Sequence, residues 1–368
     1  MPTFSAFARH AYRTGLREAQ DVLASCDDVD LIALEAGGNL TGRERFLSRL
    51  VYHDLSRRVA FMNPGIRPVR LNRDYDLFVL VCPWWRDVWY ANAILGWQDR
   101  CRTSVCWIDE MWVEDVTQLR YWLPVLSRFD HVVVGIGGTG KVLADAIGRP
   151  CHETTGGVDA IRFSPYPDQP ARTIDVLSIG RRKEGMHKAF LELSAAKDFF
   201  YVHDTIQSGD SQAPDHREHR DMYARTAKRS KFFVVAPGKM NVLQQTGGQV
   251  DIGFRYYEGA AAGAVMLGQV PQSESFKRHF EWPDAVTEVQ PDGSDTAAVI
   301  ASLRDQPGRL AQISRRNAQE ALLRHDWVYR WRDILRIAGL EPTASMDARM
   351  TRLKDLAMLA RDSRSAAP

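Results

Sequence analysis

Two charged groups in the sequence could bind an anionic ligand that carries hydroxyls. Arg181 and Arg182 follow the apolar run 174–179, and guanidinium groups bind the oxygens of a diphosphate in pairs of hydrogen bonds. Glu258 precedes a run of alanines and glycines, where its carboxylate could accept hydrogen bonds from sugar hydroxyls. Tiny residues allow a helix to lie close to a ligand or a sheet, and a helix start offers free N–H groups to anions.

The composition is typical of a folded globular protein. A chain of 368 residues with 45% hydrophobic and 26% charged residues is large enough for two domains with full cores. The net charge of +2 gives no general attraction to nucleic acid. The five cysteines have irregular spacing, which favours buried thiols in a reducing compartment. We find no secretory signal and no long apolar span, so we expect a cytoplasmic protein, with contact to a membrane surface as an alternative.

The apolar runs alternate with helical patterns along the chain. Strands are predicted at 30–34, 76–82, 103–108, 131–134, 174–179, 199–202, 231–235 and 264–267. This alternation predicts an α/β fold with parallel sheets covered by helices on both faces. The pattern restarts after Pro165, and the linker 166–171 contains two prolines. We therefore predict two domains, 1–165 and 166–340, and a helical tail, 341–368.

One acidic pair follows a predicted strand of the first domain. Asp109 and Glu110 end the strand 103–108, and acids at that edge of a parallel sheet face the ligand cleft. Asp109 is therefore a candidate general base, which an inverting transferase would require. We find no Asp-x-Asp motif and no zinc-like spacing of ligands, so we expect no metal in the site.

Three segments together resemble the signatures of GT-B glycosyltransferases. The segment 253–268 places a glutamate before a helix of small residues, 156–165 resembles the hinge between the two domains, and 175–182 resembles the first strand of the second domain. The Arg-Tyr-Tyr-Glu form at 255–258 is similar to the CgeB-like branch of the group 1 enzymes. The resemblance implies two Rossmann-like domains that face a central cleft, with the acceptor on the first and a nucleotide-sugar donor on the second.

The resemblance also implies roles for individual residues. Glu258 corresponds to the second acid of the family's Glu-x7-Glu motif, which contacts the donor ribose, and Arg182 would stabilise the leaving diphosphate. The position of the first acid holds Val250, and the nearest acid is Asp251. The other residues expected to bind the donor are Arg181, Lys188, Asn241, Arg255, Tyr256 and, in the glycine-rich loop after the first strand, Gly38.

The implied function is the transfer of a sugar from a UDP- or GDP-sugar, with retention and without metal or cofactor. The acceptor would be a glycan, a lipid-linked compound or a small molecule. One alternative is a non-catalytic GT-B-like binding protein, because Val250 interrupts the acidic motif. Another is a P-loop phosphotransferase, because 135–141 matches Gly-x4-Gly-Lys; however, Val142 replaces the Ser or Thr that binds magnesium, which favours a glycine-rich turn.

The predicted tail carries an apolar stripe at helical spacing. Its members are Met346, Met350, Leu353, Leu356, Met358 and Leu359, with arginines and a lysine nearby. Such a helix packs on its own protein or on a second subunit in a homo-oligomer, or it lies on a membrane surface. Three aspartates weaken the attraction to anionic lipid, so we expect packing or self-association.

Overall fold

The computed structural model describes residues 1–368 except 4–12, 38–41, 44–45, 48–56, 119–121, 181, 206–212, 240–243, 245 and 364–368. Its strands build two larger parallel sheets, one in each half of the chain, and two pairs of very short strands. Helices cover the sheets and connect their strands. We call the halves that contain the two larger sheets the N-terminal unit and the C-terminal unit.

Thirteen strands are found in the described part of the chain. They are β1 Pro2–Thr3, β2 Ile32–Ala33, β3 Val69–Arg70, β4 Tyr75–Trp84, β5 Ile94–Leu95, β6 Cys101–Glu110, β7 His131–Val134, β8 Cys151–Glu153, β9 Ile174–Ser178, β10 Tyr201–His203, β11 Ser230–Val235, β12 Val265–Gly268 and β13 Val286–Glu288. The N-terminal sheet has the order β4-β6-β7-β8, and the C-terminal sheet has the order β10-β9-β11-β12-β13.

The helices described lie mainly between these strands. They are α1 Thr14–Cys26, α2 Trp97–Arg100, α3 Val113–Gln118, α4 Leu123–Leu126, α5 Thr139–Ile147, α6 Ala160–Phe163, α7 Glu184–Leu193, α8 His216–Ala227, α9 Phe254–Ala261, α10 Glu274–His279, α11 Thr296–Arg304, α12 Pro307–Arg324, α13 Trp327–Ile337 and α14 Ala344–Asp362. Two 3₁₀ helices, Arg57–Phe61 and Trp85–Ala93, complete the set.

Both sheets form from apolar runs that are buried on both faces. Val79 of β4 pairs with Val105 of β6, and Phe232 of β11 pairs with Val176 of β9, all in parallel register. Strands that are buried on both sides read as continuous apolar runs, which is why the sequence identifies them. The predicted α/β class is confirmed, with one parallel sheet and its covering helices in each half of the chain.

The start of the chain differs from the expectation. The predicted strand 30–34 is reduced to the two residues of β2, which pair with β1. Within the described residues this pair is separate from the four-stranded sheet. The run is short and its residues are largely exposed or half-buried, so it lacks the two buried faces of a central parallel strand.

Two helices cross between the units. The ring of Trp107 in β6 meets Trp327 and Trp331 of α13 edge-on, at centroid distances of 5.9 and 5.5 Å. The indole N–H of Trp331 donates to the carbonyl of Ala19 in α1 at 2.7 Å. Helix α1 also packs on α8 of the C-terminal unit. Helices α1 and α13 therefore each contact both units. These contacts do not mark where one domain ends and the next begins, so the boundaries near residues 165 and 340 stay predictions.

The tail helix α14 packs back on the protein, as expected. Its inner face buries Met346, Leu353, Leu356, Ala357 and Ala360 against α12, α13 and α1. Met358 and Leu359 of the predicted stripe are about half exposed, at 48% and 50%. Among the described residues, no helix is both long enough and apolar enough to cross a bilayer.

Arg349 fixes this tail to the hinge between the units. Its guanidinium contacts Asp159 at 2.6 Å and Asp326 at 2.8 Å, and all three side chains are buried or nearly so. Asp159 caps α6 and Asp326 caps α13, so one arginine joins the starts of two helices. Removing one partner from a buried ion pair leaves an uncompensated charge.

We predict that Arg349→Ala lowers the free energy of unfolding by roughly 3–5 kcal/mol, because two buried carboxylates lose their partner. Urea denaturation followed by circular dichroism measures this. The matched control is Arg352→Ala on the exposed face of α14, with an expected change within about 0.5 kcal/mol. Equal stability of the two variants would contradict the assigned role of the hinge ion pairs.

Candidate active site

The carboxyl ends of the two sheets face each other across a cleft. Glu110 ends β6 of the N-terminal unit, and Lys239 follows β11 of the C-terminal unit. The ammonium group of Lys239 lies 2.7 Å from the Glu110 carboxylate and 5.3 Å from the centre of the Trp112 ring. Ligands of open parallel sheets bind at this edge, so the cleft is the place to search for a site.

Gln249 joins the two units at the same edge. Its side-chain oxygen accepts a hydrogen bond from the backbone N–H of Val113 at 2.7 Å. Its amide nitrogen donates to the carbonyl of Gly137 at 2.8 Å and to the hydroxyl of Thr139 at 3.1 Å. Three hydrogen bonds of one amide thus reach the opposite unit, and the segment that leads into α9 is held in place.

Helix α9 begins at the cleft and lies flat on the sheet. A carbon atom added to Gly259 would stand 3.0 Å from the Phe233 ring and 3.1 Å from the Met266 side chain. The small residues therefore serve close packing on β11 and β12. At the N-terminus of the helix the N-cap residue is Gly253, which has no side chain that could accept a hydrogen bond. The first-turn N–H groups have no side-chain cap, a condition that suits an anionic ligand.

Arg182 is held at the end of β9 by Asp204. One guanidinium nitrogen donates to the Asp204 carbonyl and to its carboxylate, both at 2.8 Å. The other carboxylate oxygen accepts from the backbone N–H of Gly180 at 2.9 Å. The buried Nε of Arg182 has no hydrogen-bond partner among the described residues. The arginine is therefore oriented by one acid and keeps an unused donor.

Arg255 connects the start of α9 to the same loop. Its Nε donates to the Ile179 carbonyl at 2.9 Å, and its guanidinium lies 3.5 Å from the place of a side chain at Gly180. A second nitrogen of Arg255 binds Glu258 one turn further along the helix. The loop after β9 and the first turn of α9 are thereby brought together, as a diphosphate site requires.

Glu258 lies inside a buried network of charges. Only 1% of the residue is exposed, and its two oxygens bind Arg255 and Arg220. Arg220 also donates two hydrogen bonds to Glu18 of α1, at 2.8 and 3.1 Å. Burial raises the pKa of Glu258, but the charges and hydrogen bonds of Arg255 and Arg220 outweigh it, so the pKa lies below its usual value. A direct contact with a donor ribose requires Arg255 or Arg220 to move, and that contact stays a prediction.

The remaining residues expected at the donor site differ in their exposure to solvent. Tyr256 is fully buried, and its hydroxyl donates to the Gln269 carbonyl at 2.7 Å. The side chain of Lys188 is 77% exposed on α7 and lies 4.0 Å from Glu192. Their roles in donor binding stay predictions. Three further expected residues lie outside the described part of the chain: Arg181, Asn241 and Gly38.

Asp109 faces a second carboxyl across the cleft. Burial, together with the charges of Asp251 and Glu110, raises the pKa of Asp109 well above its usual value. Burial and the charge of Glu110 raise the pKa of Asp251 to about 7. A carboxyl with a pKa near the operating pH can exchange a proton with a substrate hydroxyl. The role of Asp109 as a general base stays a prediction.

The glycine-rich loop before α5 is already filled by a carboxylate. The backbone N–H groups of Gly138 and Gly140 donate to one oxygen of Glu153, at 2.8 and 3.1 Å. A phosphate in a P-loop takes the same kind of donors. This geometry fits the interpretation of the loop as a glycine-rich turn. Lys141 is exposed on the surface of the helix that follows.

Sequence reasoning missed the residues that orient the candidates. They are Glu18, Arg220 and Gln249. Arg220 shares one helical face with three buried residues at spacings of three, four and seven, and a charge in such a position is a signal of a buried pair. Within the described residues, no group of three or more His, Cys, Asp and Glu side chains could hold a metal ion.

We predict that Glu258→Gln lowers the free energy of unfolding by roughly 3–5 kcal/mol, because Arg220 and Arg255 lose the charge that compensates them. Chemical denaturation measures the loss. In the control, Glu192→Gln on the exposed face of α7, we expect a change within about 0.5 kcal/mol. Unchanged stability combined with weaker donor binding would assign Glu258 to ribose binding instead.

The raised carboxyl pKa values predict a pH dependence. Folded Asp251, with a pKa of about 7, keeps a proton that the unfolded chain releases near pH 4, so its contribution to stability is lost as the pH rises between these values. Asp251→Asn should therefore stabilise the protein relative to the parent at pH 8, by roughly 3–4 kcal/mol, and less at pH 5.

Urea denaturation at both pH values checks this, with the exposed Asp305→Asn as the control. A stabilisation by Asp251→Asn that is equal at pH 5 and pH 8 would contradict the assignment of the raised pKa to Asp251.

Comparisons with known proteins relate part of the chain to sugar transfer. Residues 189–336, less than half of the chain, match a family described as glycosyl transferase-like. The crystal structure of HepE from Anabaena in complex with UDP-glucose is 13% identical, with 80% of this chain and 81% of that chain covered and a TM-score of 0.48. The structure of TarM is 9% identical, with 64% and 54% covered and a TM-score of 0.41. Curated proteins give no match. Over residues 189–336 the chain is similar to glycosyl transferase-like proteins.

Proposed function

We propose that this protein transfers a sugar, of hexose type, from a nucleotide diphosphate sugar to an acceptor. The observation that carries the proposal is the uncapped start of α9 beside two arginines, Arg182 and Arg255, that are anchored on the loop after β9. The similarity of residues 189–336 to the glycosyl transferase-like family supports it. We also propose that the protein belongs to the CgeB-like branch of the group 1 glycosyltransferases, because the segment 255–258 resembles that branch.

The two arginines and the helix start supply what the departing diphosphate needs. Arg182 keeps an unused Nε donor, and the first turn of α9 has N–H groups without a side-chain cap. Preorganised donors of this kind stabilise developing negative charge without a metal ion. We therefore propose a metal-independent transfer, with the donor diphosphate between the loop after β9 and the start of α9.

We further propose that the anomeric configuration is retained. In that case the departing phosphate accepts the proton of the acceptor hydroxyl, and Asp109 and Asp251 orient the acceptor from the two sides of the cleft. In an inverting reaction Asp109, with its raised pKa, would instead take the proton. Proton NMR of the product distinguishes the two, because it reports the anomeric configuration directly.

Two observations favour a second candidate, a non-catalytic binding protein. Glu258 is enclosed by arginines, and Val250 stands where the resembling family has an acid. A non-catalytic protein that binds a nucleotide sugar would show both features. It would bind a nucleoside diphosphate but would neither hydrolyse nor transfer the sugar of UDP-glucose or GDP-mannose over a long incubation.

We predict that the protein binds UDP or GDP, because the nucleoside diphosphate is the part of the donor that the two arginines and the helix start would hold. Titration calorimetry without added metal ions measures the affinity. ATP with magnesium is the control, since Glu153 fills the loop that a P-loop enzyme would use. Absence of binding of either diphosphate at millimolar concentration would refute the proposed function.

We predict that Arg182→Ala reduces turnover more than donor affinity, because Arg182 would bind the diphosphate most strongly as charge develops on it. A single lost charged hydrogen bond corresponds to roughly 1.5–3 kcal/mol in the transition state. Steady-state kinetics separate kcat from KM, and the exposed Arg352→Ala on α14 is the control. An effect on KM alone would show that Arg182 binds the ground state only.

A further inference from the structure

Arginines engage both carboxylate oxygens of Glu258. Oε1 accepts a hydrogen bond from Arg220 and Oε2 accepts one from Arg255, while only 1% of the Glu258 side chain is exposed. A carboxylate oxygen has more than one lone pair, but a further donor must be able to reach it. A hydroxyl of a bound ligand therefore reaches Glu258 only if one of the two arginines leaves.

Arg220 is held on its other side as well. Its guanidinium donates to both oxygens of Glu18, at 2.8 and 3.1 Å, and lies 4.7 Å from the centre of the Phe163 ring. The side chain is 2% exposed. Withdrawing Arg220 from Glu258 would leave a buried charge without its partner, which is strongly unfavourable. Arg220 therefore fixes one oxygen of Glu258.

Arg255, on the other oxygen, is fixed but keeps one unpaired nitrogen. Its Nε donates to the Ile179 carbonyl at 2.9 Å, its Nη1 donates to Glu258, and its guanidinium carbon lies 4.7 Å from the centre of the Tyr223 ring. These three contacts define the plane of the guanidinium. The remaining nitrogen, Nη2, makes no hydrogen bond with the described residues, and 28% of the side chain is exposed.

The unpaired nitrogen of Arg255 lies against the loop after β9. A carbon atom added to Gly180 would stand 3.5 Å from Nη2. Gly180 has a φ of 90°, in the left-handed region that favours glycine, and the missing side chain permits this close approach. Arg182 follows two residues later. Nη2 thus lies where the proposed function locates the donor diphosphate, and guanidinium N–H groups bind phosphate oxygens strongly.

We propose that Glu258 is a positioning residue for Arg255 and does not contact the donor ribose. Glu258 holds Nη1 of Arg255, which directs Nη2 at an oxygen of the diphosphate, and Arg220 in turn holds Glu258. The identity of this ligand rests on the proposed function. The role differs from the ribose contact that the family resemblance implies, and it explains why a donor site would enclose Glu258 between two arginines.

Four forms of the full chain test this role: the parent, Arg255→Gln, Glu258→Gln and the double variant. Titration calorimetry measures the affinity of each for UDP or GDP, whichever the parent binds more tightly. The double variant removes one charge of each sign and leaves Arg220 paired with Glu18, so it should fold even where Glu258→Gln alone does not. Circular dichroism compares the folds, and the exposed Arg352→Ala is the control with unchanged affinity.

We expect Arg255→Gln to weaken binding of the nucleoside diphosphate by about tenfold or more, the effect of one lost charged hydrogen bond. Adding Glu258→Gln to Arg255→Gln should change the affinity by less than about twofold, because Glu258 acts through Arg255 and the effects of contacting residues are not additive. A contact of Glu258 with the ribose, or a general structural role, would instead weaken binding again in the double variant.

The ribose hydroxyls provide an independent readout. The same calorimetry compares the nucleoside diphosphate with its 2′-deoxy and 3′-deoxy forms. The loss of affinity on removing each hydroxyl should be equal, within about twofold, in Arg255→Gln and in the double variant. A loss that disappears with Glu258→Gln would show that Glu258 binds the ribose and would overturn the proposal.

Unchanged affinity in Arg255→Gln would also overturn the proposal, as would a further loss of about tenfold in the double variant. These outcomes are distinct from a failure of the proposed function. A parent that binds neither UDP nor GDP at millimolar concentration refutes the proposed function and this inference with it. Binding by the parent together with any of the three contrary results refutes the inference alone.

Discussion

A buried row of four alternating charges holds the structure together at its centre. Glu18, Arg220, Glu258 and Arg255 follow one another through direct ion pairs. Taking each ion out of water costs several kcal/mol, and this cost is offset only where every charge has a partner. Glu18 also accepts from the backbone of Asp159 and from the indole of Trp327. The row therefore joins the first helix, the hinge, α8, α9 and α13 in one unit of polar contacts.

The candidate donor site depends on this row. Its last member, Arg255, reaches the carbonyl of Ile179 and so sets the distance between the loop after β9 and the start of α9. Asp204 orients Arg182 on the same loop. The donors that would meet a diphosphate are thus held by groups that do not themselves contact it, which keeps reorganisation low when charge develops. Glu258 belongs to this supporting structure as the molecule stands.

Some side chains attract each other across the cleft, and others carry charges of the same sign. Lys239 attracts Glu110, and Gln249 bonds to backbone and hydroxyl groups of the N-terminal unit. Asp109 and Asp251, in contrast, have raised pKa values, chiefly because they are buried, with further contributions from the charge of Asp251 on Asp109 and of Glu110 on both.

The sequence by itself determined the two parallel sheets and the small-residue helix. These follow from local patterns, since buried strands, close packing and apolar helix faces leave periodic traces within about ten residues. It did not reveal the partners of Glu258, because Arg220 lies 38 residues from Glu258 and 202 residues from Glu18. Likewise, only the tertiary structure showed that Glu153 fills the glycine-rich loop. Ion pairs and filled anion sites need two distant segments to meet, and that meeting is decided by how the two units pack.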